Sequence, residues 1–166
     1  MEEEIKKWLK KADEIKKGEV DLSRDEDLSI AIMNIISLEE HFYFTAMKTN
    51  NKQYLEMLNS VRELRKTMLK KIVTNPKGEE WCISKHLLAA SMRLIEVGTK
   101  ELAKKSQEAN NFFTSAFQLW SLFFAINHKM IETKNLETGI EKTGKKGGIM
   151  QKFSEIVKKV VDCCKE

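Results

Sequence analysis

Five side chains of this sequence could act on a ligand: Glu39, Cys82, His86, Arg93 and His128. Advancing each residue by about 100° around a helix axis puts Glu39 in the middle of an apolar stripe, between Ile35 and Phe42. A carboxylate there must be paired, hydrogen-bonded, protonated or bound to a metal, because an isolated charge in apolar surroundings is costly. The structural reading is a wet edge or a salt bridge to a Lys or Arg flanking the core. Cys82 and His86 stand at i, i+4, a spacing that lets one helix offer two metal ligands. Two ligands are half of a structural zinc site, so the rest must come from another helix, Glu39 first and His128 next. Arg93 lies along the same flank, and with His86 it could instead hold an anion in a cleft between helices. The structural alternative makes Cys82 core filler, His86 a helix-boundary residue and Arg93 the partner of Glu96 or Glu39. His128 falls at a helix edge beside Asn110, Thr114 and Ser121, with Glu132 one turn on. The run Glu39-Glu40-His41 looks like a metal signature, but His41 falls on the opposite face and the three do not converge.

Two further groups suit binding rather than chemistry. Arg62, Lys66 and Lys70 follow one another at i+4 steps, with Arg65 alongside. Such a row can meet phosphates or an acidic partner, or simply be a solvated face. Residues 142–159 hold six Lys, Lys145 and Lys146 among them, against one Glu. Phe112, Leu119 and Leu122 widen the apolar arc of the most hydrophobic helix and are the expected interface residues. The adjacent Cys163 and Cys164 could capture a metal or work in redox chemistry, or be free thiols at a frayed helix end; a bond between neighbours would be strained.

No catalytic residue is assigned. Glu-x-x-His, His-Glu-x-x-His, Gly-x-Ser-x-Gly, the Walker A loop and the Rossmann glycine pattern are all missing, and none of the four Arg is followed at five to seven residues by a His. The balance of 29 basic to 25 acidic residues is only +4, and 25 of the 29 are Lys. Arg is the bidentate reader of phosphate and bases, so dedicated base readout is disfavoured. Three Cys, an odd count with two adjacent, argue against a disulfide framework and for a reducing, cytoplasmic setting. The start, Met-Glu-Glu-Glu, lacks the basic and apolar run of a signal peptide. The most apolar stretch, residues 112–126, is shorter than the roughly 20 residues a membrane span needs.

The elements that must position these residues are helices. With 166 residues, 42% hydrophobic and 33% charged, and with 7 Gly and 1 Pro, the chain suits a single all-α domain. The expected helices cover residues 2–17, 27–48, 53–73, 79–105, 107–133 and 150–164, with a basic loop at 136–149. The second has the apolar stripe Leu28, Ile32, Ile35, Phe42 and Ala46. The third has Tyr54, Met57, Leu58, Val61, Leu64, Met68 and Ile72. The fourth has Ile83, Leu87, Ala90, Leu94 and Val97. The architecture predicted is a helical bundle: a four-helix core of two antiparallel hairpins, with amphipathic helices at both ends. The second hairpin, through Ala109, Phe113 and Ala116, resembles one tetratricopeptide-type unit over about 34 residues. Gly98 falls one residue out of register and Arg93 stands at the expected Trp position, so a generic helical hairpin is the reading taken.

The expected function is therefore a non-enzymatic interaction or scaffold protein that binds a protein or itself as a homodimer. The alternatives are a bundle holding a divalent metal or small anion between helices, and an RNA-binding accessory protein. No cofactor beyond that possible metal, and no membrane, is expected.

Overall fold

The computed structural model describes residues 22–130, together with Lys10, Glu14, Ser154, Val157 and Lys158. Four helices follow in order: α1 (Ser23–Thr49), α2 (Gln53–Leu69), α3 (Glu80–Ala103) and α4 (Ala109–Asn127), with no strand among the described residues. The all-α bundle of two antiparallel hairpins is the architecture found: α1 packs on α2, α3 packs on α4, and the hairpins join chiefly along α1 and α3. The terminal helices at 2–17 and 150–164 and the loop at 136–149 lie outside the described residues, except that Lys10, Glu14, Ser154, Val157 and Lys158 are helical. No described helix is long and apolar enough to cross a membrane.

The boundaries have local causes. α1 begins at Ser23 rather than at residue 27, so Asp25 and Glu26 belong to its first turn, where acids suit the positive end of the helix. It ends where Asn50 takes the left-handed conformation (φ 52°). α2 stops at Leu69 instead of 73. The chain turns there, with Val73 N–H donating to Leu69 C=O at 2.8 Å, and this turn drops Ile72 and Val73 into the core. α3 and α4 also end early, at 103 and 127 instead of 105 and 133, and by one device. Lys105 (φ 57°) and Lys129 (φ 54°) adopt left-handed backbone. Ser106 N–H then reaches Glu101 C=O at 3.0 Å, and Met130 N–H reaches Ala125 C=O at 2.8 Å. These are the six-to-one bonds of a Schellman ending, made with Lys where Gly is usual.

The core gathers Ile32, Leu69, Leu88, Phe123 and Ile126, all fully buried. Burying one such side chain contributes about 2 kcal/mol. The helix faces are turned by about one residue from the apolar stripes read in the sequence. α1 buries Ser29, Ile32, Met33 and Ile36, while Leu28 and Ile35 stay half-exposed. α2 buries Arg65 and Leu69 and leaves Met57 and Leu64 exposed. α3 buries Ser84, Leu88, Ser91 and Gly98 beside Leu87 of the expected stripe, and leaves Ala90 and Val97 exposed. The reason is close approach. Ser84, Ser91 and Gly98 recur every seven residues along the side of α3 that meets α4. Ser91 Oγ donates to Ala116 C=O at 2.9 Å, and Ser84 Oγ pairs with the Asn127 amide at 3.0 Å. At Gly98 a Cβ would stand 2.8 Å from the Phe113 ring. Small residues let the two backbones come together, and their hydroxyls are satisfied inside the contact.

The same bonds fix direction. Ser84 meets Asn127 and Ser91 meets Ala116, so α4 runs antiparallel to α3. Trp120 Nε1 donates to Ser29 Oγ at 2.9 Å, and His128 stands beside Asp25, so α4 is antiparallel to α1 as well. α1 and α3 are therefore parallel.

Candidate functional site

Glu39 lies on the side of α1 facing α2, where Arg65 meets it. Arg65 Nε donates to Glu39 Oε1 at 2.6 Å, and a second guanidinium nitrogen stands 3.5 Å from Oε2. The Arg65 side chain is 4% exposed and that of Glu39 is 13%. Arg65 was expected on the basic outer row; it lies inside, because the Glu39 carboxylate on the facing helix needs a cation. The partner is the flanking Arg of the salt-bridge reading, and it occupies both carboxylate oxygens.

The other ligand candidates are spread apart. Cys82, His86 and Arg93 share one exposed flank of α3. Cys82 is therefore not core filler. Arg93 reaches across to α1, where it donates to Ser37 Oγ at 2.7 Å and lies 3.5 Å from Glu40 Oε2. Its carboxylate partner is Glu40, not Glu96 or Glu39. His128 caps the end of α4, stacks flat on Phe124 with 5.7 Å between centroids, and holds Nε2 3.6 Å from Asp25 Oδ2. Among the described residues no group of three or more His, Cys, Asp or Glu is placed to hold a metal ion.

A buried carboxylate that the sequence reading passed over sits at the start of α3. Glu80 accepts from the Lys77 amide at 2.9 Å and from Lys129 Nζ at 2.8 Å, joining the turn before α3 to the end of α4. Burial alone would raise its carboxyl, but the bonds from Lys129 and Lys77 outweigh burial, and it titrates below the ordinary value. The signal for it, a Glu at the first helical position behind a Pro-Lys-Gly turn, is present in the sequence.

On α2, Arg62 is exposed, and Lys66 is tied to Glu63 at 2.9 Å. Lys70 lies in the turn after the helix. Lys145 and Lys146 fall outside the described residues, as do Cys163 and Cys164. An open depression of about 450 Å³ is lined by Arg24, Asp27, Leu28, Ala31 and Lys71. The Arg24 guanidinium there is already held by Asp25 at 2.7 Å.

The apolar arc of α4 is internal. Leu122, expected at an interface, is buried, and Phe112 and Leu119 are half-buried. The helix is apolar nearly all round because it packs on α3 along its length, reaches α1 through Trp120 and shares a cluster with Val157. Exposed large apolar side chains lie elsewhere: Ile30, Leu38, Tyr43, Phe44 and Met47 on α1, Leu55, Met57 and Leu64 on α2, and Ile95, Val97 and Leu102 on α3. Along α3, steps of seven run Leu88, Ile95, Leu102, with exposures of 0%, 37% and 59%. Along α1, Ile36 is 8% exposed, Tyr43 one heptad on is 48%, and its neighbour Phe44 is 58%. Met33 leads in the same way to Glu40 and the exposed Met47. Each helix thus carries its core face onward after the core has ended. Tyr43 and Phe44 meet edge to face, 5.2 Å between centroids. The run Phe42-Tyr43-Phe44 could have signalled this, since three consecutive helical residues span some 200° and cannot all enter one stripe.

The chain matches no protein-family model, no curated protein and no solved structure.

Proposed function

We propose that this chain is a non-enzymatic helical interaction protein, and that it engages a protein partner or a second copy of itself through the distal faces of α1 and α3. One observation carries this reading: Tyr43, Phe44 and Met47 on α1, and Ile95 and Leu102 on α3, are exposed continuations of a face that is core lower in the bundle. Clustered apolar surface of this kind marks interaction sites more often than scattered exposed residues do. Arg93 ties α3 to α1 at Ser37 and Glu40, and both runs lie further along their helices than this bridge.

The test is photo-crosslinking from single positions of the full chain in its own cells. A benzophenone side chain at position 44 or 102 is expected to give a covalent adduct with another polypeptide. At position 34, exposed on α1 away from the core face, it should give none. Equal labelling from all three positions, or none from 44 and 102, would overturn the reading. Native mass spectrometry of the purified chain then separates a homodimer from a foreign partner.

A further inference from the structure

We draw no further inference here: the strongest candidate, the exposed apolar patch of Tyr43, Phe44 and Met47 on the distal part of α1, already belongs to the surface of the proposed function, and nothing in the structure shows what covers it.

Discussion

Glu39 and Arg65 are where the cost of a single residue is highest. Each sits largely out of water, and each is the other's compensation. Removing one leaves a charge with nothing to answer it, whereas replacing both removes the problem. Glu39→Ala and Arg65→Ala are each expected to destabilise the fold by about 3 kcal/mol, and Glu39→Leu/Arg65→Met together by clearly less than the two singles combined. Urea denaturation of the four proteins measures this; strict additivity would mean that the pair is not coupled. That Glu39 needed a partner was legible, since a helical wheel puts it among apolar residues. Which residue answers it was not, because the partner belongs to another helix and the reading of α2 was one residue out of phase. Glu80 behaves differently with pH. Its folded carboxyl titrates below the ordinary value because Lys129 and the Lys77 amide favour the charged form over the opposing effect of burial. The unfolded chain therefore binds more protons there as pH falls. The stabilisation is complete above the ordinary carboxylate value and is lost as pH drops through the folded one. Glu80→Gln should cost about 1–2 kcal/mol at neutral pH, with the gap to the parent closing as pH falls from the ordinary carboxylate value through the lower folded one. A gap that stays constant across that range would show that the charge is not what matters. The lowered carboxyls of Glu63 and Glu101 sit in surface pairs and add little.

At the scale of the element, the α3–α4 contact decides the fold of the second hairpin, and Gly98 is its narrowest point. An added Cβ at 2.8 Å from the Phe113 ring forces that ring to move. Ala at an ordinary helical site would gain nearly 1 kcal/mol over Gly, so the sign of the substitution is diagnostic. Gly98→Ala is expected to be neutral to destabilising, and Gly98→Leu to cost about 2 kcal/mol or more. Phe113→Leu should lessen the penalty of either. Thermal melts of the set decide it; a stabilised Gly98→Ala would show that the ring gives way freely. The same contact explains what could be read beforehand. Helix existence and pairing into hairpins followed from periodicity and from the breakers at Asn50-Asn51 and Pro76-Lys77-Gly78. The face presented was misjudged because Ser84, Ser91 and Gly98, the buried line of α3, score as polar or neutral, while Ala90 and Val97, which score as apolar, face water. Hydrophobicity locates a core filled by large side chains, and it is blind to one made by close backbones. The helix ends escaped for a related reason: Lys105 and Lys129 take a conformation that sequence associates with Gly.

At the scale of the whole molecule, the described helices pack more fully at one end of the bundle than at the other. Near the start of α1 and the end of α4, Trp120, Phe123, Phe124 and Ile126 fill the space between helices, and Ser29 anchors Trp120 to α1. Past Ser37 and Arg93, α1 is held among the described residues mainly by α2, through Phe42 against Tyr54 and the buried Ala46. A two-helix projection with so little buried surface must open without the rest. Amides of residues 43–49 and 53–60 are expected to exchange with solvent through openings well below the global unfolding free energy. Amides of 32–36, 87–91 and 120–126 should need nearly all of it. Native-state hydrogen exchange measures both, and uniform protection along α1 would contradict this division. Because the projection carries Tyr43, Phe44 and Met47, its stability and its binding role are linked. Phe44→Ser removes a side chain that touches mainly water, so it should change global stability by no more than about 0.5 kcal/mol. A partner bound over Tyr43, Phe44 and Met47 would bury them, so protection at 43–49 should rise in its presence while that at 120–126 stays unchanged. A rise confined to 120–126 would place the binding surface elsewhere on the bundle.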